Sequence, residues 1–180
     1  RYILCKVVMI VIAQDRIRAY TGGLFYRRYS GYRATPGDLA GLQGDTGASS
    51  NVSSFSVPTT STYVFRGLFL PDADSSSWQF RTTSDDGSYV WIGSDSQAAD
   101  GSLDENNAVV DNGGLHSSRT RTSSNLTLEA GIFYPFAAFC NNNTGPGSLT
   151  VQFRRDSGTW QSDGAGFYFY DAGTTNGYNI

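Results

Sequence analysis

The chain has little lysine, little histidine and little charge of either sign. Lys6 is its only lysine and His116 its only histidine, and charged residues fill 16% of its 180 positions. No basic run occurs and the formal net charge is −3, so the electrostatic footprint of a nucleic-acid binder is missing and no such partner is expected. One histidine and two distant cysteines do not make the clustered ligand set that zinc needs. Glycine-rich stretches are present, but none runs into the G-K-S/T of a phosphate loop, and no G-x-S-x-G nucleophile elbow occurs. His116 has Ser117 and Ser118 beside it and Asp111 upstream, yet a lone histidine in a polar loop reads as solvated, not as part of a triad. No helical stripe of useful length appears. The most apolar run, residues 3–13, is too short to cross a bilayer as a helix, so no membrane span is expected. No enzyme is expected from this inventory.

What replaces charge is glycine, serine, threonine and asparagine, together with 11 Tyr and 11 Phe. That mixture suits many short strands joined by tight turns. From residue 55 to residue 171 apolar segments recur at short spacing between turn signals, which predicts an all-β fold, an antiparallel β-sandwich. The chain divides into an apolar N-terminal strand (1–15), the sandwich (16–158) and a C-terminal extension (159–180). Residues 3–13 are β-branched without strict alternation, the pattern of a strand buried on both faces. A terminal strand of this kind either pairs within its own domain or is donated to a neighbouring subunit's sheet, which would build a homopolymer. Residues 35–54 read as a long polar surface loop with one helical turn near residues 38–43.

Cys5 and Cys140 permit one disulfide across a very long loop, or are two buried thiols; their spacing does not decide. Three N-x-S/T sequons, at Asn51, Asn125 and Asn142, join the acidic composition and the near absence of lysine in favouring an extracellular, oxidising setting, a glycosylated chain and the disulfide.

The stretch Thr83-Ser84-Asp85-Asp86-Gly87-Ser88-Tyr89 places two adjacent carboxylates at the mouth of an apolar strand. Alone, Asp-Gly is an ordinary hairpin signal. Neighbours on a strand point to opposite faces, so Asp85 and Asp86 can grip one cation only if the backbone between them is bent or cis. As a glycosidase acid/base pair they fit poorly, because such carboxylates flank the scissile bond from separate elements. A second polar cluster lies at Asp100, Asp104, Glu105, Asn106 and Asn107.

Five marks stand in order along the chain: Gly23-Leu24-Phe25-Tyr26; Phe65-Arg66-Gly67-Leu68-Phe69-Leu70-Pro71; Trp78 through Asp85-Asp86-Gly87 to Gly93; Val109-Val110-Asp111-Asn112-Gly113-Gly114; and Leu126 to Tyr134-Pro135-Phe136. Over residues 23 to about 158 this order resembles the protective-antigen-type β-sandwich family, whose fungal branch includes the flocculin lectins and the GLEYA adhesins. The resemblance implies a calcium site at the double aspartate, joined by a cis bond, with a second loop adding an asparagine and main-chain carbonyls. Tyr134-Pro135 sets the register of that loop and puts Asn142 at the asparagine and the carbonyls near Thr144 and Pro146. Calcium takes six to eight oxygens of these kinds, and sugar hydroxyls complete its shell.

The expected function is that of an extracellular, calcium-dependent, carbohydrate-binding adhesin module at the cell surface, with glycans as partners. Trp160, an aromatic in a polar loop, is the candidate for stacking on sugar. The competing expectation is a self-assembling structural subunit of a glycosylated extracellular fibre or surface layer, joined through residues 3–13.

Overall fold

Residues 77–85 alternate without a break: Trp78, Phe80, Thr82 and Ser84 are buried, while Gln79, Arg81, Thr83 and Asp85 are partly exposed. A period of two makes this segment a strand with one face on a core. The same physics repeats along the chain in the computed structural model, which describes residues 10–13, 16–171 and 173. In chain order the strands are β1 (Ile10–Ala13), β2 (Arg16–Gly22), β3 (Leu24–Ser30), β4 (Asp45–Ser49), β5 (Phe55–Val57), β6 (Ser61–Phe69), β7 (Ser75–Asp85), β8 (Ser88–Ile92), β9 (Val110–Asn112), β10 (Arg119–Thr122), β11 (Leu126–Leu128), β12 (Tyr134–Asn142), β13 (Gly147–Arg155) and β14 (Tyr168–Asp171). The fold is all-β, two antiparallel sheets forming a sandwich, with helix present only as short 3₁₀ turns.

The first sheet runs β1-β2-β14-β6-β12-β8-β9, with β3 also paired to β6 and β4 to β3. The second runs β10-β7-β13-β5, with β11 beside β10 on β7. One side of β6 is shared: β3 pairs with residues up to Arg66 and β14 with Leu68 and Phe69. Gly67 sits at the junction, where a Cβ would come within 2.5 Å of the Phe169 carbonyl oxygen and 2.7 Å of Leu24. Only a residue without a side chain lets both strands approach there.

Between the sheets lies an aromatic core. Phe69, Phe136 and Tyr168 from the first sheet meet Trp78, Phe80 and Phe153 from the second, and Phe65 meets Phe55, all tilted or edge to face. The first sheet is also covered on its outer face. Val64, Tyr89, Trp91, Ala137 and Phe139 pack there with Tyr29, under Leu39 and Leu103. Leu39 ends the 3₁₀ turn Pro36–Leu39, and Leu103 belongs to an excursion, residues 94–107, that makes three more such turns. Burial on both faces is why β6 and β12 read as continuous apolar runs.

Three expectations change. β1 pairs with β2 of the same chain, Ile10 opposite Ala19 through Ala13 opposite Arg16, so this part of the N-terminal strand is not donated and the homopolymer is not supported. Residues 3–9, Cys5 among them, lie outside the described residues. The C-terminal segment is no appendage to the first sheet, because β14 inserts between β2 and β6. The loop 35–54 contains β4, a strand on β3 that lacks an apolar pattern because little of it is buried.

Candidate functional site

β7 belongs to the second sheet and β8 to the first, so the turn at Asp86 and Gly87 crosses the end of the sandwich. The Asp85–Asp86 peptide bond is cis. Gly87 is held between two other segments: a Cβ there would lie 2.9 Å from the Gly114 carbonyl oxygen and 3.1 Å from Asn141 Oδ1. Asn141, at the end of β12, clamps the turn. Its Oδ1 accepts from Gly87 N–H (2.9 Å), its backbone carbonyl accepts from Asp86 N–H (3.1 Å), and its Nδ2 donates to the Arg33 carbonyl (2.6 Å). Beneath the turn, buried hydroxyls of Thr82, Ser84 and Ser88 bond to one another, and Asn112 Nδ2 donates to Ser84 Oγ (3.0 Å). The sequence reading missed Asn141 and Asn112. Strand alternation offered the signal for Asn141, since adjacent asparagines on β12 must face opposite ways.

Asp86 is only 8% exposed. Its Oδ1 accepts from His116 N–H (3.1 Å) and its Oδ2 from Asn143 N–H (2.9 Å). No cationic side chain pairs with it among the described residues. The partly exposed Asp85 carboxylate makes no hydrogen bond or ion pair among the described residues. Asn142 is fully buried. Its Nδ2 donates to the carbonyls of Val57 (2.8 Å) and Gly145 (3.0 Å), while its Oδ1 has no hydrogen-bond partner among the described residues. A buried amide oxygen left without a donor is costly, and a cation would satisfy it. Thr144 and Pro146 are exposed in the loop that joins β12 to β13.

The rim of the site includes groups the sequence did not flag. The Tyr32 phenol is pushed up from its ordinary value by burial first and then by the charges of Asp86 and Asp38, and the carbonyl of the next residue, Arg33, accepts from Asn141 Nδ2. Leu115, 61% exposed, precedes the His116 whose N–H binds Asp86. The His116 ring is not free in solvent: Nδ1 lies 2.8 Å from the Ser117 carbonyl oxygen and Nε2 2.9 Å from that of Asn112. It faces carbonyls and no nucleophilic hydroxyl.

Other sequence candidates fall elsewhere. Trp160 lies against the outer face of the second sheet, with its ring 4.2 Å from the Arg81 guanidinium carbon and 4.4 Å from that of Arg154, and it has no contact with the double aspartate. Asn125 is exposed and Asn51 partly so, as carriers of sugar must be. Asn142 is not: with its side chain sealed and its nitrogen donated twice, it has no amide to offer a glycan in the folded protein. Cys140 is buried in β12, and burial pushes its thiol above the ordinary range. The acidic excursion is a brace. Asp100, 8% exposed, takes Arg66 (2.5 Å), Arg27 (3.1 Å) and the Tyr29 hydroxyl (2.6 Å), and Arg66 also donates to the Ser96 carbonyl.

Among the described residues no three His, Cys, Asp or Glu side chains cluster as a metal site. A cation at the turn would therefore be held by two carboxylates with amide and carbonyl oxygens, an all-oxygen set that suits a hard ion. Among the described residues no helix is long and apolar enough to cross a membrane.

Solved structures share the fold. The PA14 domain of an antifreeze protein, MpAFP, superposes with TM-score 0.67 at 13% identity, covering 88% of this chain and 96% of that one. The PA14 sugar-binding domain of an RTX adhesin gives 0.62 at 18% identity, covering 82% and 97%. The Epithelial Adhesin 9 A domain from Candida glabrata, in complex with Galβ1-3GlcNAc, gives 0.65 at 15% identity, covering 88% and 94%. At such identities the likeness is one of fold. No curated protein sequence matches. The GLEYA domain model matches residues 55–155, more than half of the sequence and the stretch that carries the double aspartate, Asn141 and Asn142, and by that match the chain belongs to the GLEYA domain family.

Proposed function

We propose that this domain is a calcium-dependent glycan-binding module of an extracellular adhesin. One observation carries the reading: among the described residues a buried carboxylate, Asp86, has no cationic partner and is preceded in the chain by Asp85, whose carboxylate makes no hydrogen bond or ion pair, while the end of β12 holds a buried amide oxygen, Asn142 Oδ1, with no donor. A buried charge normally neutralises, pairs or binds metal. Asp85 and Asp86 would hold the ion through their side chains, Asn142 through Oδ1, and the loop through carbonyls near Thr144 and Pro146. Bound calcium supplies open positions where sugar hydroxyls replace water.

The protein's own groups do the rest. The His116 and Asn143 amides fix the Asp86 carboxylate, leaving lone pairs on both oxygens for the ion. Asn141 holds the turn against the segment that carries Tyr32. Tyr32 and the exposed Leu115 offer faces for the C–H side of a sugar ring. Family membership and the accessible sequons at Asn51 and Asn125 support a cell-surface, glycosylated setting.

The test is titration of the chelated protein with calcium by calorimetry, followed by glycan-array binding with calcium and with chelator. Stoichiometric calcium binding and chelator-sensitive capture of galactosides such as Galβ1-3GlcNAc are expected. Absence of calcium binding, or glycan capture that chelator leaves unchanged, overturns the proposal.

A further inference from the structure

Arg81 on β7 and Arg154 on β13 stand on the outer face of the second sheet. Gln79 and Gln152 alternate with them across the two strands, in the pairs Arg81 opposite Gln152 and Arg154 opposite Gln79. Each guanidinium is held by a neutral amide: Arg81 Nε donates to Gln152 Oε1 (2.7 Å), and Arg154 Nε and Nη2 donate to Gln79 Oε1 (3.0 and 2.8 Å). Among the described residues no carboxylate pairs with either, although the sequence carries 16 acidic residues against 13 basic ones. Both Nη atoms of Arg81 and Nη1 of Arg154 make no hydrogen bond among the described residues. Two like charges thus lie on neighbouring strands, each on a partly exposed residue. Trp160 lies over both, held there by the bridge between Gln161 and Phe153.

We propose that Arg81, Arg154 and Trp160 form a second glycan subsite that takes a sulfated sugar residue, a refinement that rests on the glycan-binding reading above. A carboxylate has two oxygens, and one guanidinium fork satisfies it. A sulfate ester presents three terminal oxygens, as a phosphate does, and matches donors arriving from two forks on two strands. The glutamines hold both forks in place, so little freedom remains to be lost on binding. The indole gives the sugar ring an apolar face beside its anion. Arg81 shares the outer face of β7 with Asp85, four residues on, about 13 Å at ~3.3 Å per residue. Thr83 and Thr120, bonded to each other at 2.8 Å, lie on the face between them. One oligosaccharide of several residues spans both positions.

The experiment is calorimetric titration in chelator and low salt with a heparin-derived hexasaccharide, with its fully desulfated counterpart, which keeps its carboxylates, and with inorganic sulfate. The sulfated sugar is expected to bind, to weaken steeply with added salt, and to bind at least tenfold more weakly to the Arg81→Gln/Arg154→Gln double variant and more weakly to Trp160→Phe. Folding of each variant is checked by its denaturation midpoint. Equal binding of the desulfated sugar or of inorganic sulfate, or full binding by the double variant, overturns the proposal. Because chelator is present throughout, loss of the calcium reading leaves this result standing, and failure here leaves the calcium titration untouched.

Discussion

Asp86 and Asp100 are equally buried, each 8% exposed, and their surroundings are opposite. Asp100 is answered by side chains: two arginines and a phenol converge on it from β3 and β6. Asp86 is answered by two backbone amides and no side-chain cation among the described residues. The first arrangement is closed, since a removed partner would leave an uncompensated charge inside the protein. The second is open, since amides orient a carboxylate without cancelling its charge. Burial marks both residues, and only the identity of the partners separates a structural brace from a candidate binding site.

The comparison breaks first at Asp100. Replacing it with Ala is expected to cost about 3–5 kcal/mol, the cost of stranding a buried charge, with calcium binding per folded molecule unchanged; urea midpoints and calorimetry read the two effects. Asp86→Asn should do the reverse, weakening calcium binding by about 100-fold, or about 2.7 kcal/mol, while calcium-free stability stays within about 1 kcal/mol of the wild type. Calcium at about 100 times its wild-type dissociation constant should raise wild-type stability by about 2.7 kcal/mol and that of Asp86→Asn by only about 0.4 kcal/mol, as seen in thermal melts. If both aspartates behave alike in these measurements, the distinction between them is wrong.

Alkali sharpens the same contrast. The Tyr29 phenol is pushed up to about 12 by burial first and then by its hydrogen bond to Asp100 and that residue's charge. A raised folded value means stability is complete below the ordinary tyrosine pKa of about 10 and is lost as pH rises towards about 12. Tyr29→Phe should flatten that part of the pH-stability curve, at a cost of about 1.5–3 kcal/mol at neutral pH for the lost bond to a charged group. The smallest expected effects belong to the rim: Tyr32→Ala or Leu115→Ala should weaken galactoside binding by about 0.5–1.5 kcal/mol and leave the calcium titration as it was. Equal losses in both titrations would return these residues to the metal site.

The double aspartate was legible because its chemistry is local: two carboxylates, a glycine and the strand on either side are consecutive residues. Tyr134-Pro135 and Asn142, which the family resemblance ties together, stand on one strand, β12. The role of Asp100 was not legible. Its partners Arg27 and Arg66 lie far off in sequence, and nothing in an acidic excursion announces which of its members will turn inward. The place of Trp160 is illegible for another reason: the sheet face against which its polar loop folds depends on the pairing of Gln161 with Phe153, a tertiary contact. β4 escaped because a strand with little burial has no hydrophobic period to show.

The shared side of β6 has a consequence for any shortened form of the protein. The family match spans residues 55–155, yet β3 and β14, which pair with β6, both lie outside it. A chain cut to those limits would expose a long unpaired strand edge and lose Leu24 and Tyr168 from the core. Such an edge is a template for pairing with other chains. The segment that carries the family's marks and the unit able to fold alone are therefore different lengths of chain, and the shorter one should aggregate.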